Sequence, residues 1–148
     1  VFKGFSAYYC HNTHVAQVAE VELEDGYPIV KKVICAVDCG ILVNPIGGNN
    51  QAVGGIIDGI GHAMYGDFEF KKGVPNSKNF DKFELIRMNQ TPKVEVHFVK
   101  NDFSPTGLGE PTLPPVGAAI SNAIYKAMGV RLYKQPFSKE LKLKNIIG

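Results

Sequence analysis

The clearest pattern in the chain lies between Ala19 and Glu24, where Ala19, Val21 and Leu23 alternate with Glu20, Glu22 and Glu24. A period of two puts the apolar set on one face of a strand and the carboxylates on the other, so the segment predicts a half-buried strand. Asp25-Gly26-Tyr27-Pro28 follows as a turn signal. The β-branched run from Ile29 to Val37 then predicts a second strand, antiparallel to the first and the more buried of the two. Asn44-Pro45 reads as a break, and Gly47-Gly48-Asn49-Asn50 as a loop. Beyond it Val53, Ile56, Ile57, Ile60 and Met64 recur at helical spacing, with Gly66 placed to end the helix. The same helix carries Gly54, Gly55, Gly59 and Gly61. Each interior glycine costs up to ~1 kcal/mol relative to alanine, so four of them call for an offsetting contact with another backbone or a ligand.

Phe68 and Phe70 alternate with Asp67, Glu69 and Lys71 and predict a short strand, followed by a polar loop from Val74 to Asp81. Leu85-Ile86 predicts a brief strand, and Val94, Val96 and Phe98 against Glu95, His97 and Lys100 predict a half-exposed one. Asn101 to Pro115 holds four prolines and two glycines and cannot be a regular element. Pro115 suits the first turn of a second helix, whose apolar face is Ala119, Ile120, Ala123, Ile124, Ala127 and Met128, with Gly129 at its end. Arg131 to Phe137 predicts a last short strand, and the lysines from Lys134 to Lys144 a solvated terminal face. The pattern is α+β: an antiparallel or mixed sheet built from hairpins and packed with two main helices, residues 1–148 forming one domain.

Composition narrows the function classes. A hydrophobic fraction of 45%, a charged fraction of 20% and a net charge of +2 are those of an ordinary globular domain. That charge is too small to steer nucleic acid, and no apolar run approaches the roughly 20 residues that span a bilayer. No signal peptide and no initiator methionine are visible at Val1-Phe2-Lys3-Gly4. Cys10, Cys35 and Cys39 are an odd set, and a shared strand would hold Cys35 and Cys39 roughly 13 Å apart, too far for a disulfide. Core packing is the expected role of all three. Cys10, His11 and His14 match no standard zinc spacing, so no metal ligand is assigned.

Nucleotide P-loop, G-x-G-x-x-G and G-x-S-x-G patterns are absent. Two features remain. Gln51, Gly55, Asp58 and His62 line one helical stripe behind a glycine-rich start, where free N–H groups would suit a phosphate or another anion. Glycine-mediated core packing, with Asp58 and His62 as a surface pair, explains the same residues and is the reading that residue physics alone favours. The second feature is Gly107-Leu108-Gly109-Glu110-Pro111. Pro111 holds Glu110 extended, Gly109 allows close approach, and a carboxylate on such a stiff loop can act as a general base. A merely solvated glutamate is the plainer alternative.

Taken together, several stretches carry a resemblance. They are Val15 to Val21, Ala36-Val37-Asp38-Cys39-Gly40, Val43-Asn44-Pro45, Gln51 to Gly61, Leu85 to Asn89, Val94-Glu95-Val96, Gly107 to Pro111, Pro114-Pro115, Ala118-Ala119-Ile120 and Asn122-Ala123-Ile124. In this order, over nearly the whole chain, they resemble the C-terminal part of the molybdopterin-binding large subunit of the xanthine dehydrogenase/aldehyde oxidase family. The resemblance implies an oxidoreductase in which Glu110 is the base of a hydroxylation that uses water-derived oxygen. It implies that Gln51, with Gly54, Gly55 and Gly109, lies against a molybdenum-bearing molybdopterin, in the cytosine dinucleotide form. It also implies 2Fe-2S clusters on an iron–sulfur small subunit, the remainder of the molybdopterin subunit as a partner, and an aldehyde or N-heterocycle as the small-molecule substrate. A bacterial cytoplasmic or periplasmic setting fits equally. Asn50 and Ile41 depart from the glycine and arginine common in the family, which leaves a non-catalytic assembly domain as the alternative. Since family subunits are several times longer, the chain is expected to be a fragment or one piece of a split subunit, inactive and weakly binding alone.

Overall fold

The computed structural model describes residues 1–144 and 146. Strands β1 (Phe2–Cys10), β2 (Thr13–Glu24) and β3 (Tyr27–Asp38) form an antiparallel meander, and β6 (Lys93–Phe98) adds in parallel beside β3. The order β1-β2-β3-β6 makes a mixed sheet, as the pattern of hairpins leads one to expect. Both tight turns use positive φ at two successive residues, His11 (53°) and Asn12 (60°), then Asp25 (50°) and Gly26 (80°). That backbone matches the twist of the strands it joins. The β2–β3 hairpin is present, but its two strands have five buried positions each, so neither is the more buried. Both strands are flanked by neighbours in the sheet, which removes the distinction.

Helix α1 (Pro45–Met64) follows β3, and α2 (Pro114–Met128) lies across β1 and β2 with α1 beside it. Val15, Ala19, Val21, Val33, Cys35 and Val37 from the sheet meet Ile56, Ile60 and Met64 of α1 and Val116, Ala119, Ile120, Ala123 and Ile124 of α2 in one buried cluster. Fully burying each valine, isoleucine or methionine among them contributes about 1.5–3 kcal/mol, and each alanine less. The alanines of α2 bring it very near the sheet: a Cβ on Gly4 would stand 2.0 Å from the carbonyl oxygen of Ala119. The α2 helix ends at Gly129 in the left-handed conformation (φ 71°), as its position suggests.

Several expectations are corrected. Asn44-Pro45 is a helix start rather than a break: Asn44 caps the helix by accepting from Gly47 N, and Pro45 takes the first position. The residues from Gly47 to Asn50 therefore lie inside α1. Leu85-Ile86 forms no strand, and Ile86 instead packs on Gly61. Phe70–Lys71 (β4) pairs with Val74–Pro75 (β5), inside the stretch expected to be loop. In place of the strand expected from Arg131 to Phe137, residues 131–136 are irregular and Phe137 opens helix α3 (Phe137–Leu143) at the lysine-rich end, whose Phe137, Glu140 and Leu141 are buried. Phe137 and Leu141 are four apart, enough for one apolar stripe on a short helix. Cys35 and Cys39 are buried as expected, but Cys10 is only half-buried, with its sulfur 2.9 Å from Nδ1 of His11. His14 stacks on Tyr9 instead, and among the described residues no three His, Cys, Asp or Glu side chains gather around a metal-sized space.

Candidate active site

The segment from Asn101 to Leu113 has no regular structure, yet its backbone is held at many points. Ile41 N donates to Phe103 O (3.0 Å), Thr106 N to Cys39 O (2.9 Å) and Gly107 N to His11 O (3.1 Å). Thr13, fully buried at the start of β2, donates its hydroxyl to Gly107 O and meets the Thr106 hydroxyl at 2.7 Å. Leu113 N closes a turn onto Glu110 O (3.0 Å), with Pro111 at the turn position where its fixed φ is an advantage. Buried Thr112 bonds the carbonyl of Ala52 in α1 at 3.2 Å. Glu110 is thus an exposed side chain on a closely tied backbone.

Of the residues singled out by sequence, the structure brings Gln51, Gly109 and Glu110 together. Gln51, on the second turn of α1, donates from Nε2 to the carbonyl of Gly109 at 2.6 Å. Gly55 and Gly59 have a different job, because a Cβ on either would strike the start of α2: Thr112 Oγ1 at 2.7 Å and Leu113 O at 2.7 Å. These two glycines let the helices touch, and the other backbone is the offsetting contact their cost calls for. At Gly54, exposed one turn beyond Gln51, and at Gly109 an added Cβ would meet nothing within 4 Å. Asp58 and His62 form an exposed i, i+4 pair at 3.6 Å and stand apart from the loop. The anion site, the less favoured of the two readings of the helix start, is weakened by the Asn44 cap, which already uses the N–H of Gly47.

A cavity of about 360 Å³ opens between the Cys39–Gln51 stretch and the Pro105–Gly109 stretch. Leu42, Val43, Leu108 and Ile41 make it largely apolar, while Gly47, Gly48, Gln51 and Gly109 bring backbone and amide groups to its wall. Near enough to Glu110 to feel its charge is Tyr8, which sequence reasoning missed, with Cys10 beside it on β1. The Tyr8 phenol is pushed up from its ordinary value first by its hydrogen bond with Cys10, then by the charge of Cys10, by burial and by the Glu110 carboxylate.

The family described as Molybdopterin cofactor-binding domain matches residues 2–92. The chain belongs to that family. Isoquinoline 1-oxidoreductase subunit beta of Brevundimonas diminuta is 35% identical over 132 residues, which cover 88% of this chain and 17% of that protein. A protein of Gluconacetobacter polyoxogenes named membrane-bound aldehyde dehydrogenase [pyrroloquinoline-quinone] is 35% identical over 122 residues, covering 82% of this chain and 16% of its own length. The chain therefore spans about a sixth of these relatives. Among solved structures, quinoline 2-oxidoreductase from Pseudomonas putida 86 superposes with a TM-score of 0.80 over 90% of this chain and 18% of that one. At 19% identity that likeness speaks for the fold. No helix among the described residues is long and apolar enough to cross a membrane.

Proposed function

We propose that the chain supplies the general base and part of the cofactor cradle of a molybdenum hydroxylase acting on an aldehyde or an N-heterocycle. The observation that carries this reading is the placement of Glu110: a carboxylate free at its tip, on a backbone fixed by α1, β2 and the β1–β2 turn, next to Gln51. A general base needs that combination of reach and fixed direction.

The residues present fit a molybdopterin. Gln51 and the glycines at 47, 48 and 109 line a cleft about 360 Å³ in volume, and the empty space at Gly54 and Gly109 leaves room for a flat heterocycle against the backbone. Gln51 and the Gly109 backbone would hold it, in the cytosine dinucleotide form. The matched family description names this cofactor and supports it over the quinone in the name of the Gluconacetobacter relative. When bound, the group supplies the two-electron oxidation that side chains cannot perform. In the overall change a substrate C–H bond and water give a C–O bond, two protons and two electrons. Glu110 takes one of those protons at a carboxylate oxygen as the C–O bond forms. 2Fe-2S clusters on an iron–sulfur small subunit would accept the electrons, and the remainder of the molybdopterin subunit would close the site. The chain alone is then expected to bind the cofactor weakly and to turn nothing over.

Replacing Glu110 by glutamine in the complete subunit keeps size and hydrogen bonding while removing the base. Turnover should fall about 10²–10⁴-fold with the molybdenum content unchanged. Wild-type turnover with full metal content would remove the role from Glu110 and favour a non-catalytic assembly domain.

A further inference from the structure

The core face of the sheet is mostly apolar, and besides Thr13 at its edge its buried polar side chains on β1 and β2 are two neighbours. Ser6 on β1 and Gln17 on β2 are register partners, and both are buried, Gln17 to 1% exposure. Both donate out of the sheet to the same distant segment. The Ser6 hydroxyl bonds Pro115 O at 2.7 Å, and Gln17 Nε2 bonds Thr112 O at 2.7 Å across 95 positions of sequence. Thr112 is the third residue of the turn that begins at Glu110. A carbonyl held there sets the plane of the turn, and with it the direction in which the Glu110 side chain leaves the backbone.

Gln17 is a poor choice for stability alone. Its Oε1 is buried with no partner among the described residues, and an unpaired buried acceptor is unfavourable. Methionine would fill a similar volume and remove that orphan, exchanging it for a Thr112 carbonyl without its donor. Turning the amide over is no remedy, since it would set Oε1 against the Thr112 carbonyl oxygen. What the glutamine does provide is a donor at one fixed place.

We infer that Gln17 is a positioning residue for Glu110, acting through the Thr112 carbonyl. The inference rests on the reading of Glu110 as the base, and it adds to that reading a residue on the far side of the loop. The test has two arms. In the chain itself, Gln17→Met should leave the melting temperature within about 4 °C. Amide exchange at Thr106, Gly107 and Leu113 should rise at least about tenfold, while exchange within β3 changes less than about twofold. If that variant does not fold, Gln17→Asn, which keeps the amide but is one methylene too short to reach, should give the same pattern. Unchanged exchange at the three amides overturns the proposal, and so does an equal rise throughout the sheet, which would mark a general structural role. In the complete subunit, Gln17→Met should lower kcat at least about tenfold with KM within about twofold, the signature of a misplaced group rather than a lost binding contact. A dead Glu110→Gln enzyme beside a fully active Gln17→Met one overturns the Gln17 proposal alone. Full activity of both overturns the Glu110 reading and the purpose assigned to Gln17 with it.

Discussion

Two long connections in this molecule are largely irregular, the second holding only the two-residue strands β4 and β5, and they are held in opposite ways. From Asn101 to Leu113 the backbone is bonded to Cys39 and Ile41 beyond β3, to His11 in the first turn and to Thr13 in β2. From Asp67 to Arg87 most bonds are local: Asn76 N to Glu69 O, Phe83 N to Asn79 O, Ser77 to Lys82 O. Phe68 packs edge-on against Phe70 and Phe83, at 5.1 and 5.9 Å, and makes a small aromatic cluster of its own. The distant tie is Lys139 of α3, which bonds Asp67 and Glu69. An irregular segment is therefore as fixed as what it is bonded to. The segment that carries Glu110 borrows its order from the core, and the other borrows it from a seven-residue helix near the C-terminus.

The comparison can be broken from either side. The larger effect is expected at Gly55, where Gly55→Val would push a side chain into Thr112 Oγ1, 2.7 Å from the position of the new Cβ. Overpacking there should cost about 2–3 kcal/mol and lower the melting temperature by roughly 5–10 °C. Faster exchange should be concentrated at residues 106–113.

A smaller effect is expected from Glu140→Ala. Burial alone would raise the Glu140 carboxyl. The N–H groups of Lys134 and Tyr133 and the Lys144 ammonium outweigh it and hold the group below its ordinary value. A lowered folded value means the stabilisation is complete above the unfolded value of about 4.3 and is lost as pH falls through the lower folded one. Glu140→Ala should therefore cost about 1–2 kcal/mol at neutral pH, and its melting-temperature gap from wild type should close as pH drops below about 4. Because the neighbouring Lys139 ties down Asp67 and Glu69, proteolysis between 67 and 83 should quicken while 106–113 keeps its protection. Equal loosening of both segments would show that they share one support.

Local rules made much of the fold readable. Strict alternation gave the β2–β3 hairpin, and proline followed by an alanine stripe gave α2. Strand β1 escaped because its inward positions Gly4 and Ser6 are small or polar, chosen for the nearness of α2 rather than for hydrophobicity. The start of α1 was misplaced because Asn-Pro serves equally to break a strand and to cap a helix. Helix α3 was hidden by lysines around only two buried apolar positions. At the site, Gln51, Gly109 and Glu110 were singled out through family likeness and lie side by side in the fold, whereas Gly55 faces Thr112. Thr13 and Gln17 could not be found by spacing, since each meets a partner brought near only by the fold.

The most direct test is a crystal structure of the complete subunit with cofactor and a slow substrate bound. The Glu110 carboxylate should lie within hydrogen-bond reach of the oxygen being transferred, about 3 Å or one bridging water away. A carboxylate turned into bulk solvent, with another acid or base at that oxygen, would contradict the account.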